Sequence, residues 1–80
     1  MKYIVVSLNG HAVPIMFPPT VNHIDIAERF DNRVFTAGFV TVQTGKDGEP
    51  LVQTYGESVS CKVRSDPADA ELITRYLVLK

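Results

Sequence analysis

His23 and Asp25 are the first residues whose types and spacing suggest chemistry. A carboxylate can orient an imidazole for general-base work. Residues two apart on a helix do not face one another, however. With Asn22 ahead of them, both are expected in solvent at a helix start, where Asp25 favours the positive end of the dipole. Gly56-Glu57-Ser58-Val59-Ser60 imitates the turn that presents a nucleophilic serine. That turn needs a glycine two residues after the serine and a helix behind it. Ser60 stands in the glycine's place and a strand pattern follows, so Ser58 and Ser60 are expected on the wet face of a strand. Cys61 falls between Val59 and Val63 in the same alternation and reads as a small, inert, buried hydrophobe. With one Cys and two His, the chain has too few ligands for a zinc cluster and no partner for an internal disulfide. Gly45-Lys46-Asp47-Gly48 is too short and wrongly flanked for a phosphate loop and reads as a turn. No catalytic residue, metal ligand or cofactor is expected, and the chain reads as non-enzymatic.

Charge narrows the partners. Eight Lys/Arg against nine Asp/Glu give a formal net charge of −1. Arg29, Arg33, Lys62 and Arg64 could join Phe35, Phe39 or Tyr55 in a stacking platform for single-stranded nucleic acid. The electrostatic term that carries such binding is missing overall, and no recognition motif accompanies it. Nucleic acid and anionic membrane are therefore not the expected partners. What remains is protein. The candidate binding residues are Lys46, Asp47 and Glu49 in a long loop, with Glu57, Lys62 and Arg64 on an exposed strand face. Loops and wet faces are where a domain without a pocket presents specificity.

The elements that must position these residues can be read from the pattern. Residues 2–8 are β-branched and aromatic, and Asn9-Gly10 follows, the strongest short hairpin signal. The returning strand spans 12–17, with Pro14 marking an edge, and Pro18-Pro19 stops it. A helix is expected over 21–30, with Asn22 as cap and Val21 against Ile26 as a hydrophobic staple. Asp31-Asn32 ends it. Residues 34–43 form a strand with a bulge expected at Gly38. A polar loop over 44–50 leads to a strand over 51–55, which Gly56 interrupts. Residues 58–64 alternate as a half-buried strand. Asp66 as cap, Pro67 at the first position and Asp69 at the third open a second helix over 67–77, with Val78-Leu79 folding back.

The expected fold is α+β: an antiparallel sheet of four or five strands in ββαββα order, with both helices on one face. The expected core is Ile4, Val6, Ile24, Phe30, Val40, Val42, Val59, Cys61, Leu72, Tyr76 and Leu77. At 80 residues with 45% apolar and 21% charged side chains, one compact domain over 1–80 is expected. The apolar start is too short for a signal peptide, and no stretch approaches the roughly 18–20 apolar residues of a membrane span. An unpaired cysteine and the lack of Asn-x-Ser/Thr sites favour a cytoplasmic protein.

Three stretches carry a resemblance: Thr36-Ala37-Gly38-Phe39-Val40, Tyr55-Gly56-Glu57-Ser58-Val59-Ser60, and Ser65-Asp66-Pro67-Ala68-Asp69-Ala70. Together with the Asn-Gly, Pro and Phe pattern of 9–17, they resemble small accessory proteins of tailed phages and prophages. The resemblance implies a non-enzymatic protein that occupies a surface of a host complex, in the manner of host-takeover and anti-CRISPR proteins. It assigns no site residue. A small virion or assembly component, or a dimeric small-ligand binder, would fit the same composition. A monomer or homodimer is expected.

Overall fold

A computed structural model describes residues 1–31 and 33–78. Strand β1 (Lys2–Leu8) turns at Asn9-Gly10 into β2 (His11–Phe17). Both turn residues have positive φ, 53° and 80°, as a two-residue hairpin loop of this hand requires. Helix α1 (His23–Ala27) continues as a single 3₁₀ turn, Glu28–Phe30, and Asp31 closes it in the left-handed region. Strand β3 (Val34–Thr44) turns into β4 (Pro50–Tyr55). A small hairpin follows, β5 (Glu57–Ser58) with β6 (Val63–Arg64), and α2 (Ala68–Val78) ends the described chain.

The fold is α+β. Four strands form an antiparallel sheet in the order β2-β1-β3-β4, and β5-β6 pair separately. Pro14 lies on the outer strand β2, where its missing N–H breaks no ladder. No described helix is long and apolar enough to cross a membrane.

The helices lie on opposite sides of the sheet, which corrects the expectation of one shared face. The cause is in β1, where Tyr3, Ile4, Val5 and Val6 are all buried. A strand that is apolar on both faces needs cover on both. Tyr3 and Val5 join Val40 and Ile73 under α2, with Leu72 and Leu77 packed alongside. Ile4 and Val6 join Phe17 and Ala37 on the other side, under Ile26, Phe30 and Val63. We call these the α2 side and the α1 side.

The core differs accordingly. Ile4, Val6 and Val40 are buried as expected, while Ile24, Phe30, Cys61, Leu72 and Leu77 are only half-buried. Val42, Val59 and Tyr76 are exposed, and Tyr3, Val5, Phe17, Ala27, Ala37 and Ile73 complete the interior. Helix α2 turns Ile73, not Tyr76, fully inward; the Tyr76 hydroxyl instead donates to the Ala12 carbonyl at 3.2 Å. Val78 is exposed, and the expected return of Leu79, like the role of Asn32 at the end of α1, lies outside the described residues.

Three local expectations also change. The bulge falls where Val5 pairs Thr36 and Val6 pairs Val34, leaving Phe35 extra, and not at Gly38. Gly38 is required for close approach, since a Cβ there would stand 2.5 Å from the Tyr55 carbonyl oxygen. The β3–β4 loop is tighter than expected, because Gly45 N–H donates to the Glu49 carbonyl at 2.7 Å. The run 57–64 is a hairpin and not one strand. Lys62 takes φ 59° and donates its N–H to the Val59 carbonyl at 3.3 Å, while Ser58 Oγ accepts the Cys61 N–H at 3.2 Å. A serine that captures a backbone donor three residues on competes with a strand ladder.

The start of α2 follows its sequence closely. Asp66 Oδ1 accepts the Ala68 N–H at 2.8 Å, and Asp69 Oδ2 accepts the Asp66 N–H at 3.0 Å. This is a reciprocal capping box with aspartate at its third position.

Candidate functional site

The six charged candidates are all exposed, but the chain does not gather them into one patch. Lys46, Asp47 and Glu49 sit in the β3–β4 turn, where the Glu49 carboxylate accepts the Asp47 N–H at 2.9 Å. Glu57 and Arg64 face one another across the β5–β6 hairpin, and Lys62 lies in its turn. The two groups stand at opposite ends of β4, whose six residues span roughly 20 Å at the usual rise per residue.

Between them lies a surface that charge alone does not reveal. The first half of β3 pairs with β1 and its second half with β4, so the β3–β4 hairpin extends as an arm beyond α1 and the small hairpin. On the arm's α1 side stand Thr41, Gln43, Leu51, Gln53 and Tyr55, all exposed. Leu51 is 48% exposed and Tyr55 51%. A shallow depression of about 310 Å³ lies along Thr41, Gln43, Leu51 and Gln53. Tyr55 is held in place by stacking on Phe39, with ring centroids 5.7 Å apart. Phe39 in turn meets His23 edge-on at 5.8 Å, and His23 meets Phe17 at 5.5 Å. An aromatic row therefore runs from the core to the exposed face, giving Tyr55 a rigid base.

His23 belongs to this row, which corrects its expected place in solvent. It is buried, and its Nε2 lies 2.9 Å from the Gly38 carbonyl. A carbonyl only accepts, so Nε2 carries the proton. The ring ties α1 to β3 at the one strand position without a side chain. Asp25, on the same helix, is exposed and stands apart from it.

Two other buried polar groups form a second structural tie. The Tyr3 hydroxyl donates to Asp69 Oδ2 at 2.5 Å, the same oxygen that closes the α2 capping box. Burial, then the hydrogen bond and charge of Asp69, hold the Tyr3 proton far above the usual value of 10.0. A phenol kept protonated in this way is a donor and not a general base.

Ser58 and Cys61 also depart from expectation. Ser58 is buried, with its Oγ 3.4 Å from that of Ser60. Cys61 is half-buried and forms part of the wall of an open cleft of about 210 Å³, with Ile24, Ala27, Val34 and Ser60. No group of three or more His, Cys, Asp or Glu suited to a metal ion occurs among the described residues.

The alternation in residues 50–55 was the available signal for the arm's face. Leu51, Gln53 and Tyr55 share one side of the strand and are exposed, while Pro50, Val52 and Thr54 on the other side are half-buried. Comparison with known proteins returns no matching family model, no similar curated protein and no similar solved structure.

Proposed function

We propose that this chain is a non-enzymatic protein-binding domain that occupies and inhibits a host protein complex, as small phage and prophage accessory proteins do; a CRISPR effector is one such target. The observation that carries the reading is the α1 side of the arm. Leu51 and Tyr55 are exposed there among uncharged Thr41, Gln43 and Gln53, with charged clusters at the two ends. An apolar and aromatic centre within a polar, charged margin is the anatomy of a protein interface. A tyrosine fixed by stacking contributes contact area at low entropic cost, which makes Tyr55 the expected anchor. Lys46, Asp47, Glu49, Glu57, Lys62 and Arg64 then form the rim and steer approach. The place of action is the host bacterial cytoplasm, a reading supported by the unpaired Cys61 thiol.

The test is capture from a bacterial lysate by the immobilised chain, with Leu51→Ala/Tyr55→Ala alongside. The expected result is a specific set of host proteins held by the natural chain and lost with the double variant, whose circular dichroism is unchanged. Equal capture by both would overturn the assignment of this face.

A further inference from the structure

We infer that two copies of the chain associate through β4, edge to edge and antiparallel, with Gln53 on the two-fold axis. The two outer strands of the sheet are not equivalent. Strand β2 carries Pro14 at its centre, where an added strand would find no donor. Strand β4 has its proline only at the first residue, and Pro50-Leu51-Val52-Gln53-Thr54-Tyr55 contains no charge. Natural edges that must stay single are usually blunted by charges, prolines or bulges. This one is not, and a second copy meets it without like-charge repulsion.

Face and phase select the register. A two-fold axis normal to the sheet keeps the α1 side of one copy beside the α1 side of the other, so Leu51, Gln53 and Tyr55 can oppose only one another. The Gly45 to Glu49 hydrogen bond sets the β3–β4 ladder, and alternation then turns the N–H and C=O of Val52 and Thr54 outward. Pairing about Gln53 sets Val52 against Thr54 of the second copy, twice, so all four outward donors and acceptors of each pair find partners. It also sets Leu51 against Tyr55 of the second copy, an aromatic–aliphatic cross-strand contact.

The ends agree with this register. The turn residues Lys46, Asp47 and Glu49 sum to −1, and the hairpin residues Glu57, Lys62 and Arg64 sum to +1. One strand length separates these groups within a chain, but antiparallel pairing places each turn beside the hairpin of the other copy. The charges are then complementary at both ends of the interface. Growth stops at two copies because Pro14 closes the remaining edge. The inference is independent of the proposed partner, since self-association is read with no other protein present.

The test uses the full chain with Cys61→Ser, so that one engineered thiol is present. Gln53→Cys places two thiols across the axis in a non-hydrogen-bonded pair, where Cα atoms stand about 4.5 Å apart, within disulfide range. Mild oxidation is expected to yield a linked species of twice the 8.9 kDa chain mass. Leu51→Cys in the same background is expected to link far less, because it faces Tyr55 and not itself. Sedimentation of the natural chain is expected to show a dimer, and Gln53→Lys, which opposes two ammonium groups, to weaken it about tenfold or more. Reversing Lys62 and Arg64 to Glu should weaken association, and reversing Asp47 and Glu49 to Lys as well should restore it. A natural chain that stays monomeric up to about 1 mM overturns the inference. So does linking at 51 equal to that at 53, or a dimer indifferent to Gln53→Lys.

Discussion

Tyr3→Phe removes a single oxygen from a fully buried side chain and leaves the Asp69 carboxylate, itself only 5% exposed, with one donor fewer. Shape and apolar packing are unchanged, so the loss reads the hydrogen bond alone. A bond to a charged acceptor contributes about 1.5–3 kcal/mol. Because Asp69 keeps the Asp66 N–H, the expected loss is near the middle, about 2 kcal/mol. Against a total of roughly 4–12 kcal/mol for a chain of this length, that is a large fraction. The assay is urea unfolding with an unchanged slope and a shifted midpoint. Combining it with Asp69→Ala should give a loss smaller than the sum of the two, since both remove the same bond. The pH dependence supplies a second reading. The folded state holds the Tyr3 proton above its unfolded value of 10.0, so above that pH the folded chain binds more protons than the unfolded one. This contribution is complete below pH 10 and declines as pH rises beyond it, and Tyr3→Phe should flatten that decline. A loss under about 0.5 kcal/mol, the size of ordinary surface effects, would refute the buried-bond account. An unaltered alkaline profile would refute it equally.

Further outcomes follow from the packing. Ile73→Ala should cost about 2–5 kcal/mol, and Leu72→Ala distinctly less, because Ile73 alone of the two is fully enclosed; unfolding midpoints rank them. Gly38→Ala should destabilise by about 1–3 kcal/mol, since its Cβ would press on the Tyr55 carbonyl and neither backbone can yield cheaply. Gly56→Ala should cost about 1–2 kcal/mol, as φ 78° is unfavourable for a side chain and the Phe39 ring stands 2.9 Å from the new Cβ; thermal melts read it. His23→Ala should destabilise by about 1–3 kcal/mol by removing a buried ring together with its hydrogen bond to the Gly38 carbonyl, and urea unfolding reads the loss.

The parts of this fold that were legible in the sequence are those whose signals are local. Asn9-Gly10 specified its own turn, and Asp66-Pro67-Ala68-Asp69 specified the start of α2 down to the reciprocal cap. What was hidden depends on partners distant in sequence. The unbroken apolar run Tyr3-Ile4-Val5-Val6 does signal cover on both sides of β1, but only once β1 is seen to be an inner strand. His23 reads as a solvated residue beside a cap until β3 brings the Gly38 carbonyl within 2.9 Å of its ring. The alternation of 58–64 misled because Ser58 Oγ accepts the Cys61 N–H within the segment itself. At the candidate site, charge pointed to both ends of the arm and missed its centre. Leu51 and Tyr55 carry no charge, and their exposure follows from β3 running on past the elements that cover its first half.

Hydrogen exchange of the chain, alone and bound to its captured partner, tests the docking face most directly. The account predicts slowed exchange across residues 41–43 and 51–55, with weaker protection at the 45–49 turn and the 57–64 hairpin. Protection confined to the outer surface of α2 or to the Asn9-Gly10 turn, with the arm unchanged, would contradict it.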